Sequence, residues 1–110
     1  MMRSALIGTL SLLAFAATSG SALAGDTVKV TIDNFSFNPQ TVTVKPGDTI
    51  NWVNQDDIPH NVREATAGTF KCKVMDTGED CNVPFQQPGE YKYFCALHPH
   101  MTGTVIVKAP

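Results

Sequence analysis

The 110-residue sequence has few charged residues and no run of charges of one sign. Eight basic and ten acidic side chains are scattered along it and give a formal net charge of −2. The sequence therefore lacks the basic stretches that bind nucleic acid or an anionic membrane surface, and we expect neither partner. A helix that spans a membrane needs an apolar run of roughly 20 residues. No such stop-transfer segment follows the N-terminal region.

The N-terminus has the pattern of a secretory signal peptide. Arg3 is followed by the apolar run Ala5–Ala17, and Ala22-Leu23-Ala24 supplies a small-x-small cleavage site. We predict that residues 1–24 are removed and that residues 25–110 form one small periplasmic domain with a net charge of −3, which excludes a multidomain oxidase. The alternative is an uncleaved anchor that tethers the same domain to the outer face of the inner membrane.

Cysteine is scarce as well, with three residues in the chain. Cys72 and Cys81 are close in sequence, and the polar, glycine-containing segment between them can turn back on itself. We predict that they form a disulfide in an oxidising compartment, although two free thiols remain the alternative. Cys95 is then the odd cysteine. Because an unpaired thiol in an exported protein is prone to oxidation, a metal ion is the natural means of holding it.

No segment after residue 25 has a convincing helical period. Apolar and polar residues instead alternate in short runs, which two Pro-Gly turns, Lys45–Asp48 and Gln87–Glu90, help to separate. This pattern predicts an antiparallel β-sandwich, whose strand order cannot be derived from the alternation. The segment Glu64–Cys81 is compatible with a strand near Phe70, a loop or a helical turn. The clearest predicted strands are Val28–Ile32, Thr41–Val44, Ile50–Asn54, Tyr91–Cys95 and Thr104–Lys108.

The strongest chemical signal lies near the C-terminus, where Cys95, His98 and Met101 follow one another within seven residues. His60 lies upstream, at the end of a strand-like run. A thiolate, two imidazoles and a weak thioether are the ligands of a blue-copper electron-transfer site. His100 is an alternative to His98, but it directly precedes Met101 and would crowd the turn. We expect it to be exposed beside the copper ion.

With these residues in place, the chain resembles the cupredoxins, and among them most of all the amicyanins and pseudoazurins. The spacing Cys-x2-His-x2-Met matches the short ligand loop of amicyanins. The resemblance extends over essentially all of the chain after the signal segment. It is carried by Phe37–Pro39, Val42–Val44, Pro46–Asp48, Trp52–Asn54, Asp57–Val62, Pro88–Tyr91 and Tyr93–Gly103.

The resemblance implies an antiparallel Greek-key β-sandwich with one copper ion that cycles between Cu(I) and Cu(II). It assigns the strong ligands to His60, Cys95 and His98 and the axial one to Met101. It also implies that the Asn61 amide ties the His60 loop to the cysteine loop. Because Ala96 replaces the Ser or Thr that many relatives carry, this tie must use backbone groups.

The function expected from these features is a periplasmic one-electron carrier, a monomer without catalysis of its own. No Ser/His/Asp set, paired carboxylates or open metal position is evident. A dehydrogenase, reductase or cytochrome would dock transiently over His98, against Leu97 and Pro99. A copper chaperone or storage protein is the alternative function. Such a protein would be expected to carry clusters of exposed Met or His, but the chain after cleavage has only the methionines Met75 and Met101. A zinc-binding structural module is the third hypothesis.

Overall fold

A computed structural model describes residues 25–110, so the predicted signal peptide lies outside the described residues. This part of the chain is all β, and it has no helix with the length and apolar character needed to cross a membrane. Its nine strands, in chain order, are β1 (Thr27–Asp33), β2 (Ser36–Asn38), β3 (Thr41–Val44), β4 (Thr49–Asn54), β5 (His60–Glu64), β6 (Lys71–Met75), β7 (Asp80–Pro84), β8 (Gly89–Cys95) and β9 (His98–Val107).

The strands form two sheets, which confirms the predicted β-sandwich. One sheet has the order β2-β1-β4-β7 and the other the order β3-β9-β8-β5-β6. Both sheets are mixed, because β1 pairs with β4 in parallel and β3 pairs with β9 in parallel. The other five strand pairs are antiparallel as predicted, and these two parallel pairs are the departure from the expected pattern. Alternating burial shows which face of a strand is covered, but it carries no information on the direction of the neighbouring strand.

Aromatic side chains dominate the core between the sheets. Trp52 is fully buried, and its ring lies 5.2 Å from that of Tyr93 and 5.8 Å from that of Phe70. Phe70 comes just before β6 and packs in the core. The segment Glu64–Cys81, for which a strand, a loop or a helical turn was possible, therefore contains a strand and contributes a core residue. The alternation of β1 is also as predicted, since Val30 and Ile32 are buried.

The predicted disulfide between Cys72 and Cys81 is confirmed, with the two Cα atoms 6.0 Å apart. Cys72 lies on β6 and Cys81 on β7, and each of these strands is the last of its sheet. The bond therefore closes one edge of the sandwich by joining the two sheets covalently. It also leaves Cys95 as the free cysteine among residues 25–110.

Removal of this bond should lower stability while the fold is retained. The loop that it closes is short, with a sequence separation of nine. In the chain-entropy description such a loop stabilises by roughly 2–3 kcal/mol. We expect the double variant Cys72→Ala and Cys81→Ala to lose about that amount of unfolding free energy in urea. Its unfolding curve should be the same with and without reductant, because no disulfide remains to be reduced. A loss well below 1 kcal/mol would contradict this expectation.

A second local element is the loop that follows β5, which is organised by the carboxylate of Glu64. The carboxylate accepts hydrogen bonds from the N–H groups of Ala67 at 2.8 Å, Thr66 at 2.9 Å and Thr69 at 3.1 Å. These bonds, the one from Ala67 first among them, lower the pKa of Glu64 to about 2. The loop is thus held by the ionised form of a single side chain.

This arrangement predicts an acid-sensitive contribution to stability. Because the pKa of Glu64 is lower in the folded than in the unfolded chain, its contribution is complete above about pH 4.5 and disappears as the pH falls towards 2. We expect Glu64→Gln to flatten the pH dependence of the unfolding midpoint between those values. The exposed Glu90, changed to Gln, is the matched control and should leave the wild-type slope. Equal slopes for Glu64→Gln and the wild type would contradict the prediction.

Candidate metal centre

Three strand ends bring three of the four predicted ligand residues to one end of the sandwich. His60 is the first residue of β5, Cys95 is the last of β8, and His98 begins β9. β8 lies between β5 and β9 in the sheet, and Cys95 is paired with His98 across the hairpin. Register within the sheet therefore places a distant histidine beside the two residues of the hairpin.

The side chains of these three residues converge. The Nδ1 atoms of His60 and His98 each lie 3.8 Å from Sγ of Cys95, and the three donor atoms are all within 4.8 Å of one another. His60 and Cys95 are fully buried, while His98 is partly exposed. A thiolate and two imidazole nitrogens thus surround one small volume, which fits a copper ion of the blue type.

Asp56 fixes the orientation of the His60 ring, a contact that the sequence analysis missed. Nε2 of His60 lies 2.8 Å from Oδ2 of Asp56. An N–H at Nε2 that donates to the carboxylate leaves the lone pair of Nδ1 directed at Cys95, as a metal ligand requires. This bond, reinforced by one from the N–H of Phe35, holds the pKa of the Asp56 carboxyl below its usual range. The available signal was an acidic residue four positions before His60.

The predicted tie through Asn61 is confirmed. Oδ1 of Asn61 accepts a hydrogen bond of 2.7 Å from the N–H of Ala96, and the N–H of Asn61 donates to Sγ of Cys95 at 3.4 Å. The amide oxygen therefore reaches a backbone group, as the absence of a hydroxyl at position 96 required. Together the two bonds join the start of β5 to the residues around the thiolate.

The buried side chain of Asn54 fixes the loop that leads to His60 through three hydrogen bonds. Its Nδ2 donates to the carbonyls of Ile58 and Met75, each at 2.9 Å, and its Oδ1 accepts from the N–H of Asp56 at 2.9 Å. All three bonds lie in or beside the His60 loop. A polar residue at an inward position of β4 is thereby satisfied, and the loop is held in one conformation.

The two thioethers and the third histidine complete the surroundings. Met101 is buried in the core cluster, three residues after His98 on β9. Met75 is buried too and is the cross-strand partner of His60, a proximity that its position between the disulfide cysteines did not indicate. His100 is exposed, and the convergent group of described residues contains His98 in its place.

Comparison with known proteins agrees with this geometry. The sequence profile of copper binding proteins of the plastocyanin/azurin family matches residues 24–108. The chain belongs to this family. Its cofactor is accordingly a single copper ion, for which the donor set of His60, Cys95, His98 and Met101 is suited. The resemblance to cupredoxins that the sequence motifs indicated is thereby confirmed.

Individual members of the plastocyanin/azurin family are also similar. Amicyanin of Paracoccus versutus is 37% identical over 87 residues, which cover 76% of this chain and 66% of that protein. Amicyanin-alpha of Methylorubrum extorquens is 31% identical over 94% of this chain and 98% of its own length. The structure of a purple cupredoxin from Nitrosopumilus maritimus matches with a TM-score of 0.71 and 26% identity, over 74% of this chain and 99% of that one.

The Asn61 tie yields a prediction for the centre. Asn61→Ala leaves the N–H of Ala96 without its acceptor, and such a loss typically costs about 1–3 kcal/mol. We expect unfolding stability to fall by that amount and the Ala96 amide hydrogen to exchange faster with solvent. Asn61→Asp retains an acceptor oxygen and should retain the slow exchange. Slow exchange at Ala96 in the alanine variant would show that the bond does not restrain the loop.

Proposed function

We propose that this protein is a periplasmic one-electron carrier with a mononuclear type 1 copper site. The observation that carries the proposal is the placement of two imidazole Nδ1 atoms at 3.8 Å from one buried thiol. Bound copper would supply one-electron chemistry between Cu(I) and Cu(II). A trigonal group of two nitrogens and a thiolate is suited to both oxidation states.

The proposed strong ligands are His60, Cys95 and His98, with Met101 as the weak axial ligand. Supporting the axial role, Met101 is buried and follows His98 at the spacing of the amicyanin ligand loop. Its long thioether interaction would favour Cu(I) without imposing a square-planar geometry on Cu(II). Met75 is the nearest competitor by sheet register, because it lies opposite His60.

The surrounding residues would keep the ligands stationary during electron transfer. Asp56 holds the His60 ring, Asn61 joins the two ligand-bearing segments, and Asn54 fixes the loop before β5. Ligands held in advance need little rearrangement when the charge of the ion changes. A rigid β-sandwich therefore suits rapid electron exchange better than a flexible site would.

Electrons would enter and leave at His98, which is the partly exposed member of the convergent group. Beside it, Leu97 is 47% exposed and Phe35 is 46% exposed, and Pro99 is exposed as well. Such an apolar surface fits a redox partner that binds weakly over a small area. The expected partner is a dehydrogenase, a reductase or a cytochrome, and the carrier itself is proposed to be a monomer without catalytic activity.

The proposed location is the periplasm. Residues 1–24 are proposed to be a signal peptide that is cleaved after Ala24, so that residues 25–110 form the copper-binding domain. The Cys72–Cys81 disulfide supports this location, since such bonds persist in oxidising compartments. The mass of the protein recovered from the periplasm would distinguish cleavage from a retained anchor.

The decisive experiment is visible spectroscopy of the copper-loaded protein. We expect an intense thiolate-to-Cu(II) charge-transfer band that ascorbate bleaches and an oxidant restores, with the copper retained throughout. Cys95→Ser should abolish the band, because it removes the thiolate. His100→Gln is the matched control, a neighbouring histidine whose loss should preserve the band.

The alternative functions give different results in the same experiment. A chaperone or storage protein would lose copper rapidly to a chelator within one redox cycle. A zinc module would remain colourless and would retain zinc in preference to copper. Either outcome would contradict the proposed carrier. The ligand set would be contradicted if His100→Gln lost the charge-transfer band and His98→Gln retained it.

A further inference from the structure

The connection between β1 and β2 contains an unusual backbone conformation. Asp33 pairs with Ser36, so only Asn34 and Phe35 form the loop, and both have positive φ, 51° and 58°. A two-residue hairpin with two positive φ values is the type I′ arrangement, which strongly favours Asn-Gly. Asn34 fits its position. Phe35 occupies the place of the glycine, where a bulky side chain is a conformational outlier.

Burial of an apolar side chain does not explain this outlier, because Phe35 is 46% exposed. A strained residue that persists without contributing a buried side chain to the core suggests a functional constraint nearby. The ring of Phe35 provides one. Its centroid lies 5.1 Å from that of His98 and 5.7 Å from that of His60, with interplanar angles of 87° and 86°. One phenyl ring therefore makes edge-to-face contact with both histidines.

The backbone of Phe35 is coupled to the same centre. Its N–H donates to Oδ2 of Asp56 at 3.1 Å, and this is the oxygen that receives Nε2 of His60 at 2.8 Å. His98 differs from His60 in its surroundings. The structure records its contacts through Nδ1 with Cys95 and through its ring with His60 and Phe35. The phenyl ring of Phe35 thus restrains the partly exposed His98, as the carboxylate of Asp56 restrains His60.

We propose that Phe35 is a positioning residue of the copper centre, which holds the imidazoles of His98 and His60 with their Nδ1 atoms facing Cys95. This inference rests on the proposed ligand set and adds a residue outside the four ligands. It assigns a purpose to the strained turn, because the residue at the second turn position, with positive φ, places its ring edge-to-face against both histidines. It also distinguishes Phe35 from Leu97, an equally exposed side chain that would serve docking alone.

The test compares Phe35→Leu, which keeps apolar bulk but removes the aromatic edge, with Phe35→Tyr, which keeps the ring. Edge-to-face aromatic contacts are individually modest, and the loss of two should release Cu(I) to an excess of chelator on the order of tenfold faster in the leucine variant. The tyrosine variant should remain within about twofold of the wild type on the same basis. Val74→Ala, at an aliphatic side chain that is also 46% exposed, controls for the loss of exposed apolar surface.

A second measurement uses the copper-free protein and does not depend on a loaded site. In NMR spectra of the wild type and of Phe35→Tyr, we expect the ring protons of both histidines to carry the shift of a neighbouring aromatic ring. In Phe35→Leu this shift should disappear, and the His98 resonances should broaden or average as the ring gains freedom. Phe35→Met replaces the leucine variant if the latter does not fold.

Two outcomes would overturn the inference. One is unchanged copper release together with unchanged histidine resonances in Phe35→Leu. The other is a variant whose only defect is slower electron exchange with a partner protein, which would make Phe35 a docking contact. If the wild type shows no charge-transfer band, the proposed function fails by itself. The copper-free NMR comparison still decides whether Phe35 positions the histidines.

Discussion

The centre depends on the hydrogen-bonded register of β5, β8 and β9, because these strands determine where His60, Cys95 and His98 meet. Cys95 faces His98 across its own hairpin, but His60 is 35 residues away and reaches the thiol only as the first residue of a neighbouring strand. A shift of β5 by one residue would turn His60 to the opposite face of the sheet. Asn54, Asn61 and Asp56 then act on a geometry that register has already established.

The strands keep this register because the sandwich is closed on several sides. Aromatic packing around Trp52 fills the interior, and the Cys72–Cys81 bond joins the edge strands β6 and β7 of the two sheets. A frame held by core packing and a covalent link can place polar groups at one end within tenths of an ångström. The buried polar side chains there are satisfied by hydrogen bonds to loop backbone, so they make the loops rigid as well.

Much of the fold and the centre could be predicted from the sequence. The strand segments, the disulfide and the ligand spacing were recognised from alternation, cysteine count and the Cys-x2-His-x2-Met pattern, because these signals depend on residues close together in the chain. Parallel pairing of β1 with β4 and of β3 with β9 could not be predicted. Neither could the cross-strand position of Met75 or the turn conformation of Phe35, since both depend on strands that meet only after folding.

The sequence by itself determined the chemistry of this protein: which donors are present, which cysteine remains free and which residues alternate into a core. Those properties are local, set by residue type and short spacing. Tertiary structure decided how the donors are oriented and restrained. Asn61 joins the His60 segment to Ala96 beside the thiol, and Phe35 reaches both imidazoles from a strained turn. The physical reason is that orientation requires contacts between distant segments, and only the packed sandwich brings those segments within a few ångströms.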